Sequence, residues 1–227
     1  MDNVLRLLST LALKGAVERL AGQYQIATGV RLDADFAPTV GLLKRLRGGE
    51  KADVVILTGE GLKELVAEGA VVEASQIDLA RSWVGIAVKA GHAHPDIASE
   101  AALRATLLAA RSVAYSKIGA SGIYFAALIQ RMGIASEINA KAVITAGFTA
   151  ERLVTGEADL AVQQLSELKQ VADIEVVGPI PRELQTAAVF TAGRMASSAK
   201  ATEADALLKY LASPEVAPVL RETGLEP

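Results

Sequence analysis

Hydroxyl and glycine residues gather where strand-like runs give way to helix-like ones. In "LRLLSTLALKGAVERL" the change falls at Ser9 and Thr10; in "AYSKIGASGIYFAAL" it spans Ser116, Gly119, Ala120, Ser121 and Gly122. A helix N-terminus carries unsatisfied N–H groups and the positive end of the helix dipole, so it attracts anions without a cationic side chain. Small residues let ligand oxygens approach the backbone, and Ser and Thr hydroxyls add donors. Two further junctions share the form: Pro38–Gly41, which contains Thr39, and the turn before "TAERLV", which contains Gly147. The candidate donors, through hydroxyl or amide, are therefore Thr10, Leu11, Ala12, Thr39, Ser116, Ser121, Gly122 and Gly147. The competing explanation is that each Ser or Thr merely caps its own helix. Lys14 is the charge beside the first junction, either a partner for a ligand carboxylate or a solvated first-turn residue.

Other chemistries have less support. The chain has no cysteine, which removes disulfides, thiolate metal sites and cysteine nucleophiles. His92, His94 and Asp96 in "GHAHPD" suit a metal or, more simply, a surface turn. "GASGIY" lacks both the Lys-Ser/Thr of a P-loop and the full dinucleotide fingerprint, and no nucleophile-elbow motif occurs. No metal or other cofactor is expected. No Glu, Asp or His base is evident at the junctions. Gln163 and Gln164 end the apolar "ADLAV" run as adjacent amides; alternation along a strand directs only one of them toward a ligand. Tyr124 stands one turn into the helix after Ser121.

The elements that position these residues alternate along all 227 residues. "NVLRLL", "VRLDADF", "ADVVILT", "SVAYS", "KAVIT", "ADLAVQQ" and "IEVVG" read as strands, most of them followed by helical periodicity. This implies an α/β fold with mostly parallel sheets. The rhythm breaks at two long extended runs, near residues 79–88 and 186–192. They divide the chain into a first lobe of 1–80 plus 190–227 and a second of 81–189, with a ligand cleft expected between them. A 51% hydrophobic content argues against disorder. A net charge of −3 with mixed signs argues against nucleic-acid partners. No apolar run is long enough to insert in a membrane.

The stretches "LLSTLALKGAVERLAGQYQIATG", "GGEKADVVILT", "RSWVGIAVKAG", "AYS…ASGIYFAALIQRMGI", "GEADLAVQQLSEL" and "LLKYLASPEVAPVLRETGL" occur in this order over almost the whole chain. Together they resemble the periplasmic molybdate-binding family of type II solute-binding proteins. The resemblance implies two α/β lobes closing on a small oxyanion such as molybdate or tungstate. It implies a monomer that hands its ligand to an ABC permease by hinge closure. Ala12 replaces a ligand serine of the family, Thr39 stands in for another, and Gln163–Gln164 occupies the place of a tyrosine. The "QQLSE" ending is similar to an organic-acid subgroup that includes aconitate isomerase-like enzymes, in which Lys14 would be the candidate base. A periplasmic location requires a signal peptide, which "MDNVLRLL" does not resemble; without one the expectation is cytoplasmic.

Overall fold

The computed structural model describes residues 3–227. The chain forms two compact units, one running to Ser82 and resuming with Ala188–Pro227, the other Trp83–Ala187. The first contains β1 (Val4–Ser9), α1 (Lys14–Thr28), β2 (Arg31–Phe36), α2 (Thr39–Arg47), β3 (Val54–Thr58), α3 (Gly59–Ala67) and β4 (Ile77–Ser82). The second contains β5 (Val84–Lys89), α4 (Glu100–Ala109), β6 (Val113–Tyr115), α5 (Ala120–Arg131) and α6 (Ala135–Asn139). It continues with β7 (Ala142–Ile144), α7 (Glu151–Val154), β8 (Leu160–Gln164), α8 (Leu165–Leu168) and β9 (Ile174–Pro179). The first unit is completed by β10 (Ala188–Arg194), α9 (Ala201–Leu211) and α10 (Ala217–Glu222).

Each unit has one five-stranded sheet, ordered β2-β1-β3-β10-β4 in the first and β7-β6-β8-β5-β9 in the second. In the first, β2 and β3 run parallel to β1, whereas β10 is antiparallel to both β3 and β4. Four strands therefore point one way and β10 alone is reversed. The second sheet repeats the plan, with β5 reversed between β8 and β9. In both sheets the reversed strand is the first one the chain forms on entering from the other unit.

The sequence pattern explains the layers. In α1, Ala16, Val17, Leu20 and Tyr24 recur at helical spacing and are all buried. Gly29 ends the helix with φ 74°, a left-handed conformation that glycine adopts without steric cost, and its N–H donates to Gln25 O at 2.8 Å. Strand β3 is buried on both faces. Val54 and Ile56 pack with Leu13, Leu20 and Leu207 on one side, while Val55 and Leu57 pack with Leu42, Leu62 and Leu65 on the other. The second unit is asymmetric: Ile86, Val113 and Val162 pack with Leu103, Phe125 and Leu128 on the face covered by α4 and α5. The opposite face carries a row of alanines in register, Ala87, Ala161 and Ala114, beneath Leu153 and Leu168. Those small side chains allow the four-residue helices α7 and α8 to lie against the sheet at core packing density. Among the described residues no helix is long and apolar enough to cross a membrane.

Candidate functional site

In the first unit, parallel pairing brings the carboxyl ends of β1, β2 and β3 to one sheet edge, with Ser9 opposite both Phe36 and Ile56. Thr10 leaves that edge with its N–H donating to Ile56 O at 3.0 Å, and its carbonyl accepts from Leu13 N at 3.2 Å. This starts the 3-10 turn Leu11–Leu13 that leads into α1. Thr10 has N-cap dihedrals but makes no capping bond; its hydroxyl is buried, only 4% of the residue is exposed, and Oγ1 has no partner. Ala12 is buried in the turn and Leu11 half-buried. Thr39 Oγ1 accepts the N–H of Thr58 at 3.2 Å, and Thr58 Oγ1 in turn caps α3 through Gly61 N at 3.3 Å. Thr39 thus ties two loops of this edge together with its hydroxyl proton still available for donation. Lys14 is engaged: its ammonium pairs with Glu18 and sits 5.6 Å above the Phe36 ring. A cavity of about 390 Å³ beside α3 includes Glu60 and Asp78, a lining ill suited to an anion.

In the second unit, β6 is followed by Ser116, whose Oγ accepts the N–H groups of Ile118 and Gly119 at 3.2 and 3.1 Å. Gly119 O then accepts from Gly122 N and Ile123 N, both at 3.0 Å, opening α5. Ser121 is buried in this first turn. Gly122 corrects the idea that small residues serve only to admit a ligand. A Cβ there would fall 1.5 Å from Ser116 O, so the glycine is required for α5 to approach the strand end. Ile118 and Ile123, beside these donors, are 44% and 54% exposed, and Val40 beside Thr39 is also exposed.

The glutamines depart from the strand-alternation argument, because both are buried and both already hold protein groups. Gln163 Oε1 accepts Thr149 N at 2.7 Å and Thr149 Oγ1 at 3.0 Å, while its Nε2 donates to Gly147 O at 3.1 Å. It clamps the 147–149 turn, so Thr149 and Gly147 are occupied in structure. The helix after that turn, α7, has only four residues. Gln164 ends β8 as the N-cap of α8 in a capping box whose other member is Glu167. Tyr124 donates its hydroxyl to Leu184 O at 3.1 Å, and burial pushes its phenol up to about 12.

Glu167 is the titratable residue that sequence reading passed over. It is 9% exposed, receives Gln164 N at 3.3 Å, and burial raises its carboxyl to about 7 against the pull of hydrogen bonds from Gln164 and Gln163. Among the described residues no cation contributes to its shift. The only signal in the sequence was an acid three residues after a strand end, in "QQLSE". His94, one of the two histidines weighed as ligands, pairs instead with Glu175 at 2.8 Å. Among the described residues, no group of three His, Cys, Asp or Glu could hold a metal.

Two α/β units, each with a single reversed strand, make a type II periplasmic-binding-protein fold, and solved structures agree. The periplasmic molybdate-binding protein of Azotobacter vinelandii superposes with a TM-score of 0.84 at 18% identity, covering 98% of this chain and 99% of that one. The sulfate-binding protein SubI of Mycobacterium tuberculosis gives 0.78 at 14% identity, covering 99% and 87%. The family model described as bacterial extracellular solute-binding protein matches residues 5–226, and the chain belongs to that family. An aconitate isomerase from a Pseudomonas species is 39% identical over 230 residues, spanning 98% of this chain and 87% of that protein.

Proposed function

We propose that the protein binds one small anion, an oxyanion or a compact organic carboxylate, through neutral donors and delivers it to an ABC-type permease. The observation that carries this reading is the buried, unpartnered hydroxyl of Thr10 at the entrance to α1. An orphaned buried donor costs about 1–3 kcal/mol, a cost that a ligand able to accept from it recovers. Ser121, buried at the start of α5, supplies a second candidate donor in the other unit. Of the two ligand types, a carboxylate fits better: the exposed Ile118 and Ile123 beside Ser121 can cover a carbon skeleton, which molybdate or sulfate lacks. The extracellular solute-binding family supports a location outside the cytoplasm and a permease partner.

A second reading is favoured by the 39% identical aconitate isomerase. Here the same donors would stabilise the negative charge formed when a proton moves within an unsaturated polycarboxylic acid. Lys14 is a poor base in this arrangement, since it is already paired with Glu18. A thermal-shift panel with molybdate, tungstate, sulfate, citrate and cis- and trans-aconitate tests binding, because a ligand for the native state raises Tm by mass action. A shift confined to the organic acids supports the carboxylate reading, and one confined to molybdate and tungstate overturns it. Following the absorbance of each aconitate isomer with the protein then separates isomerase from carrier.

A further inference from the structure

The capping box that joins Gln164 to Glu167 puts an ionisable carboxyl at the edge where the second unit presents Ser116 and Ser121. Strands β6 and β8 are parallel neighbours, with Val113 opposite Leu160 and Ala114 opposite Ala161, so both end at the same side of the sheet. Helix α5, which begins at the Ser121 turn, packs against β8. We propose that this unit takes up its anion together with a proton, and that Glu167 accepts the proton; this rests on the reading that Ser116–Ser121 holds the anion.

The surroundings of Glu167 leave that proton as its available counterion. Helix α8 packs on β5, β8 and β9. Strand β8 has no titratable residue. On β5, Lys89 is drawn off to Val154 O at 3.1 Å. On β9, Glu175 is bound to His94 and to Gly91 N. Lys169, just beyond α8, is exposed. The carboxyl is therefore governed by burial and two hydrogen bonds, with no charge contributing, and burial leaves it poised near neutrality. An anion held at the ends of the same sheet disfavours the charged carboxyl, and so raises its proton affinity. By reciprocity, protonation of Glu167 strengthens the binding of the anion.

Calorimetric titration with trans-aconitate and with molybdate, in two buffers of different ionisation enthalpy, reads the protons taken up. The expected result above about pH 7 is an uptake approaching one proton per anion, with affinity falling by up to about tenfold per pH unit. Glu167→Gln preserves the capping box, since glutamine serves at that position. It is expected to bind at the affinity the native protein shows in acid, with neither proton uptake nor pH dependence. Binding without proton uptake, or an unchanged pH profile in Glu167→Gln, overturns the proposal. A different failure, in which neither anion binds or Ser121→Ala binds like the native protein, removes the underlying site and the proposal with it.

Discussion

Three side chains concentrate the chemistry at the residue scale: Thr10, Ser121 and Glu167. Thr10 keeps a hydroxyl that is fully enclosed and unpaired, a cost to the folded protein unless a ligand accepts from it. Thr10→Val retains the shape and removes the orphan. The variant should be more stable than the native protein by about 1–2 kcal/mol in urea denaturation and bind its anion at least tenfold more weakly. Equal stability and equal affinity would show that the hydroxyl has no such role. Glu167 gives a pH signature. The unfolded chain loses this proton near 4.5, whereas the folded protein retains it to about 7. The folded state thus binds more protons over that window, so stability falls as pH rises through it and is constant above and below. The whole difference is worth roughly 3 kcal/mol. Glu167→Gln should escape it, matching the native protein at about pH 4 and exceeding it in Tm at about pH 8. A stability difference that is the same at both values would contradict the assignment.

At the scale of elements, α5 depends on one contact that no side chain can share. Its first turn lies against the end of β6 so closely that a Cβ on residue 122 would meet Ser116 O at 1.5 Å. Gly122→Ala must displace the helix start or the strand end, so it should cost roughly 3 kcal/mol in stability. Loss of ligand binding should accompany this, because Ser121 moves with the turn; circular dichroism melts beside a binding titration would show both. A full-strength Tm would mean the turn is softer than its packing indicates. The short helix α8 has a different dependence: only four residues long, it is held by its capping box and by the alanine face of the sheet rather than by helical propensity.

For the whole molecule, the chain order of strands and helices, the left-handed stop at Gly29 and the doubly buried β3 could all be read from periodicity and punctuation. What stayed hidden has a physical reason in each case. The reversed strands β5 and β10 have the same apolar pattern as their neighbours, since direction in a buried sheet leaves no mark on hydrophobicity. Helix α8, at four residues, spans barely one period of the signal that reveals helices, and the alanine row beneath it suits helix and strand patterns alike. Glu167 carried no mark of burial in the sequence, because α8 packs on a sheet that includes β5, some eighty residues earlier in the chain. Gly122 was legible as a small residue at a helix start, but its obligatory contact with Ser116 O exists only in three dimensions. The central claim is that the buried, unpartnered hydroxyl of Thr10 donates to a bound anion. The most direct measurement is calorimetric titration of trans-aconitate into the native protein, Thr10→Val and Ser121→Ala. Binding weakened about tenfold or more in Thr10→Val is the predicted result, with Ser121→Ala reading the second candidate donor by itself. Binding that survives Thr10→Val at native affinity, or no binding of any anion in the panel, would contradict it.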